Sequence, residues 1–179
     1  MSLVDGLLKA YTQRLTDRWD IYASGPERVW IAVYEPRDER RLRSQIEAFE
    51  LATRSAGHHW LRHDLTDEFA RWMATQDYRE AYFTAPEDLE MALGTFAAHV
   101  ATTVSHLLES SAADANTVVA LSGIASLFGF TRASKLIEAV ESKVTGKLLL
   151  FFPGEHQSGN LRLLDARDGW NYRAVIIRA

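Results

Sequence analysis

The chain contains no cysteine. That absence excludes disulfides, thiolate zinc sites, iron–sulfur clusters and a cysteine nucleophile. It fits a reducing compartment, and a cytoplasmic location is expected. There is also no signal-peptide pattern, because Met1 to Lys9 lacks a basic stretch followed by an apolar run. The longest apolar runs, such as Leu148 to Pro153, are too short to span a bilayer, so no membrane association is expected. No segment is low-complexity and no repeat has solenoid period. An excess of positive charge is missing too. Lys and Arg total 20 against 24 Asp and Glu, a net charge of −4, so direct nucleic-acid binding is not expected.

What is present suits a folded domain. Of the 179 residues 47% are hydrophobic and 25% charged, which excludes collagenous, rod-like and largely disordered chains. The length points to one complete subunit, a single domain over residues 1–179. Leu3, Leu7, Leu8, Tyr11, Leu15 and Trp19 recur at helical spacing. They predict an amphipathic helix within residues 1–24, packed on the rest.

Val29 to Tyr34, His58 to Leu65, Thr117 to Leu121 and Lys147 to Phe152 read as strands. Leu161–Leu164 and Ala174–Ile177 are further short candidates. Between them lie helical patterns. Leu42, Ile46, Phe49 and Thr53 share one face, with Gly57 placed to end that helix. Phe69, Trp72 and Met73 mark a short helix. Thr84-Ala-Pro-Glu87 reads as a capping box before a long helix at about 85–111. Leu136, Ile137 and Val140 define another, with Thr131 as candidate cap and Gly146 as candidate terminator.

Strands and helices therefore alternate, and three of the strands are continuous apolar runs. The expectation is an α/β fold: three layers, with a mostly parallel sheet between helices. Ligands of such sheets sit at the carboxyl ends of strands. Those ends are Glu35-Pro36, Ser122-Gly123 and Pro153-Gly154.

Chemical motifs fail one by one. Gly154 to Gly159 has the glycine spacing of a P-loop, but Asn160 and Leu161 stand where Lys and Ser/Thr are needed. No Gly-x-Gly-x-x-Gly follows the first strand. His59 and His63 lie roughly 13 Å apart along a strand. His99 and His106 lie roughly 10 Å apart along a helix. Neither pair can chelate one ion, and no metal is expected. Ser122-Gly123 lacks the preceding glycine of a nucleophile elbow. Asp165 and Asp168 read as turn residues around Asp-Ala-Arg-Asp-Gly169. The arginines between Arg37 and Arg43 alternate with Asp38 and Glu39 and read as a solvated, ion-paired first turn.

The C-terminal third carries a resemblance. Ser122-Gly-Ile-Ala-Ser-Leu-Phe-Gly-Phe-Thr-Arg132 is followed by Leu149-Leu-Phe-Phe-Pro-Gly-Glu155, then Leu161-Arg-Leu163 and Tyr172-Arg173. This order resembles the BrxB family of BREX (bacteriophage exclusion) defence systems, a former domain-of-unknown-function family. The clear match covers roughly the last 60 residues, while the first 110 agree in layout. The resemblance implies a non-enzymatic component without cofactor, associated with other BREX proteins and foremost a PglZ-like phosphatase-family protein. It carries over Gly123, Arg132, Pro153, Gly154, Glu155, Arg162, Tyr172 and Arg173 as a candidate partner- or anion-binding cluster. A degenerate nucleotide- or phosphate-binding domain without hydrolysis is the alternative, and a DNA-associated subunit using the arginines of residues 37–56 is a third reading.

Overall fold

The computed structural model describes residues 2–17, 19–157, 160–163, 166–167 and 174–179, with 156–157, 160–163 and 166–167 as backbone. Helix α1 is Leu3–Asp17. Strand β1 (Val29–Tyr34) leads through a 3-10 turn, Pro36–Asp38, into α2 (Glu39–Ser55). Then follow β2 (His59–Asp64), α3 (Glu68–Ala74), α4 (Arg79–Thr84) and α5 (Leu93–Leu108). The second half holds β3 (Thr117–Ser122), α6 (Ala133–Val140), β4 (Lys147–Pro153) and, near the end, β8 (Val175–Ile177). Between the last two lies a small antiparallel sheet of β5 (Glu155–Gln157), β6 (Asn160–Leu163) and β7 (Ala166–Arg167).

The main sheet has the order β2-β3-β4-β1-β8, and each of its pairings is parallel. Strand alternation distributes side chains to its two faces. Trp30, Ala32, Tyr34, Ala120, Leu149 and Phe151 pack with Tyr11 of α1 and Phe49 of α2. Val29, Ile31, Leu121, Leu148, Leu150 and Phe152 pack with Trp72, Phe96, Val100 and Ile137 of α3, α5 and α6. Double burial is why β1, β3 and β4 are apolar without alternation. The link from β1 to β2 crosses toward one edge under α2. The links from β2 to β3 and β3 to β4 return under α3, α5 and α6 on the opposite face. Opposite directions on opposite faces keep one hand, as parallel crossovers require.

Four local expectations are corrected. Thr84 closes α4, where its hydroxyl donates to the Glu80 carbonyl at 3.0 Å, and makes no cap for the next helix. The long helix accordingly begins as a 3-10 stretch, Pro86–Ala92, and becomes α-helical at Leu93. Thr131 does not cap α6; Arg132 stands at the cap position without a side-chain bond. Gly146 does not terminate that helix, which gives way at Glu141–Lys143 to a 3-10 turn. Its role is close approach: a Cβ there would lie 2.2 Å from the Thr117 carbonyl oxygen. Ala166–Arg167, placed in a turn by sequence, is a strand paired with β6. Asp165 and Asp168 lie outside the described residues.

One helical run, Pro86–Leu108, is long and apolar enough by composition to cross a bilayer, with mean hydropathy 1.2. Apolar-run length alone had excluded this. Its stripe of Phe96, Val100, Val104 and Leu108 is buried against the sheet, while only 28% of the apolar window lies inside the domain.

Candidate functional site

Parallel strands bring their carboxyl ends to one edge, and the chain's chemistry collects there. On the α1/α2 face, Tyr34 ends β1 and Asp64 ends β2, with α2 above both. The Tyr34 hydroxyl donates to Glu39. Glu39 accepts from Arg43 Nε at 2.6 Å, and Arg43 reaches Asp64 at 3.1 Å and Thr66 at 2.8 Å. Thr66 in turn donates to Asp64 through Oγ1 and its backbone N–H, at 2.5 and 3.0 Å. Each charge in this chain is answered by its neighbour.

The titration of these groups follows from the geometry. Burial, then the bond and charge of Glu39, hold the Tyr34 phenol far above its ordinary range. Partial burial pushes the Asp64 carboxyl up, but Thr66, Arg43 and Arg62 more than offset that and leave it below its usual range. A carboxyl depressed in the fold stabilises above its unfolded pKa and ceases to do so as pH falls through the folded value. Thermal stability should therefore fall as pH is lowered from about 5 toward 2. The Asp64→Asn variant should fall less steeply over that window; an identical slope would show that Asp64 is uncoupled from folding.

On the opposite face sits a second polar group. Glu68, 3% exposed, accepts from His63 at 3.0 Å, His99 at 3.2 Å and Arg71 at 3.2 Å. Sequence reading missed it. By sequence His63 is set only beside His59 and Asp64 and His99 only beside His106, and Glu68 looks like an ordinary first-turn acid. Its signal was an acid one turn from the apolar Trp72 and Met73. Among the described residues no group of three or more His, Asp or Glu could hold a metal ion.

Gly123 follows β3 at φ +76°, in the left-handed region, and a Cβ there would lie 2.6–2.7 Å from Asp64 Oδ1, Thr66 Oγ1 and the Thr66 backbone nitrogen. Beside it the Ser122 hydroxyl is buried without a partner. Pro153 ends β4, and Gly154 donates its N–H to the Tyr34 carbonyl at 2.8 Å, fixing the turn against β1. Glu155 opens β5 opposite Arg162 of β6 in the antiparallel register. Tyr172 and Arg173 lie outside the described residues.

Arg132 occupies a different setting. It is exposed, with Lys135, on the rim of a cavity of about 440 Å³ that the half-buried Thr131 also lines. The walls are Leu93, Ala97, Ile124, Leu127, Phe130 and Phe152. Ile124 follows Gly123, and Phe152 precedes Pro153. The cavity thus opens at the carboxyl ends of β3 and β4, on the α5/α6 face, next to two of the glycine turns singled out by sequence.

A three-layer α/β domain with a parallel sheet, polar clusters closed on themselves and an apolar cavity at the carboxyl edge defines the class. The model of the family described as "BREX protein BrxB" matches residues 65–177. The match spans more than half of the chain and extends well upstream of the segment that carried the sequence resemblance. The chain belongs to the BrxB family, and through it is a component of a BREX system, associated with other BREX proteins. No curated protein and no solved structure matches it.

Proposed function

We propose that the chain is a non-enzymatic assembly or adaptor subunit of its BREX system, acting in the cytoplasm and holding a PglZ-like phosphatase-family protein. One observation carries this reading. The charged groups of the two polar clusters at the sheet's carboxyl edge are committed to one another, whereas the open feature there is apolar and rimmed by cations. Reactive sites need groups left available to a substrate. Docking sites need an apolar centre and a polar rim.

The phosphate-binding alternative has less support. The turn after β1, where a phosphate cradle would sit, carries Glu35, Asp38 and Glu39, and Arg43 is already paired with two carboxylates. The DNA reading weakens on similar grounds. Four of the five arginines in residues 37–56, Arg37, Arg41, Arg43 and Arg54, pair with Glu35, Asp5, Glu39 and Glu50 respectively, which leaves little charge to neutralise a phosphate backbone.

Co-expression of the tagged chain with the PglZ-like protein of the same system tests the reading. Retention through washing at physiological salt is expected. Clean separation of the two proteins would overturn the adaptor role.

A further inference from the structure

The cavity beside Arg132 can be read further. Its volume of about 440 Å³ falls in the range of roughly 300–1,000 Å³ that bound groups occupy. Its chemistry is lopsided. Apart from the Thr131 hydroxyl, the side chains lining it are apolar or are the cations Arg132 and Lys135; among the described residues no carboxylate contributes. A site for one small molecule holds its ligand with a few placed polar groups inside an enclosing, mostly apolar cleft, whereas the cations here are exposed to solvent. This one offers a greasy floor and a positive rim.

The surface around the mouth extends the pattern. Phe128, on the cavity wall, is 46% exposed. Met91, two residues before Leu93, is 92% exposed. The segment from α4 to Ala92 buries none of its residues fully. Large apolar side chains left in water around an apolar cavity mark an interaction surface wider than one small ligand. The acids of its 3-10 stretch, Glu87, Asp88 and Glu90, precede the cavity wall, while the cations stand on the α6 side. A partner's carboxylate is drawn to the α6 side and repelled from the other, which gives the docked segment a direction.

We propose that this cavity seats a segment of a protein partner in which a large apolar side chain is flanked by carboxylates. The apolar group enters between Leu93, Ile124 and Phe152, and the carboxylates meet Arg132 and Lys135. This rests on the adaptor reading and adds the surface and the chemistry of the partner's segment.

The experiment has two arms, each on the full-length chain. In the first, the PglZ-like protein is titrated onto wild type, Gly94→Trp, the double variant Arg132→Glu with Lys135→Glu, and Arg37→Glu. Gly94 lines the cavity, and a Cβ there meets open space, so the tryptophan fills the mouth without disturbing the core. Arg132 and Lys135 are exposed, so reversing their charge leaves the fold intact. Arg37, on the turn that leads into α2, is the control. At least about tenfold weaker binding is expected for the cavity and rim variants, with Arg37→Glu unchanged. Equal binding by all four overturns the cavity and leaves the adaptor reading standing.

In the second arm, a labelled peptide alternating Asp and Phe is titrated onto wild type and Gly94→Trp. A peptide with Lys in place of Asp, and octanoate, are titrated alongside. Binding of the acidic peptide alone, lost in Gly94→Trp, is expected. No acidic-peptide binding, binding indifferent to Gly94→Trp, or saturation by octanoate without the peptide overturns the docked segment. This arm judges the cavity even where wild type fails to hold the PglZ-like protein, a result that would sink the adaptor reading alone.

Discussion

Gly123→Ala is expected to lower stability by about 2–5 kcal/mol, from two penalties acting together. At φ +76° an L-residue pays about 1–2 kcal/mol in left-handed backbone. The added Cβ would also lie within 2.7 Å of the Thr66 backbone nitrogen and of the oxygens of Asp64 and Thr66. Overpacking of that kind costs about 1–3 kcal/mol. Because Asp64 is the acceptor that both Arg43 and Thr66 use, relief of the clash would loosen the whole edge network. Denaturant unfolding of the variant checks this. A loss below about 0.5 kcal/mol would show that the loop relaxes freely and that the glycine has no geometric role.

Phe151→Ala is expected to cost about 3–5 kcal/mol. Phe151 is 1% exposed on the central strand β4, with its ring edge-on to Phe49 of α2, 5.0 Å between centroids. Truncation removes apolar burial and leaves a void between a strand and a helix that are each fixed elsewhere, so little collapse is available to fill it. The midpoint of chemical denaturation should drop, with the dependence on denaturant unchanged. A cost near 1 kcal/mol would mean that α2 moves in to close the space. Phe151 lies two residues before Pro153, yet faces away from the cavity, as Phe152 lines it. Under conditions where the variant is folded, its partner binding should match wild type.

Much of this architecture is legible in residues alone. The unbroken apolar runs of β1, β3 and β4 announce burial on two faces, and residue alternation along β1 divides it between α1 and α2 on one side and α5 and α6 on the other. Gly57, at φ +86°, ends α2 as its position suggested. What escaped reading depends on tertiary placement. The pairing of Arg43 with Asp64 joins residues 21 apart, and Glu68 with His99 joins residues 31 apart. Neither has a local signature, because a parallel sheet brings together strand ends that sequence keeps distant. The capping box at Thr84 misled for a related reason. Its pattern is locally valid, but α4 ends there and competes for the same hydroxyl.

The candidate cluster divides by the same logic. Gly123, Pro153 and Gly154 shape turns at the carboxyl edge, and Arg132 stands at the cavity mouth. Glu155 and Arg162 face each other across the small antiparallel sheet. Residue types flagged the turns. Only the fold shows that Ile124, Phe130 and Phe152 line an open space.

Isothermal titration of the purified chain with the PglZ-like protein of its own system tests the central claim most directly. The account predicts a saturable heat with a defined stoichiometry at micromolar concentrations or below. A flat trace, with both proteins folded, would contradict it.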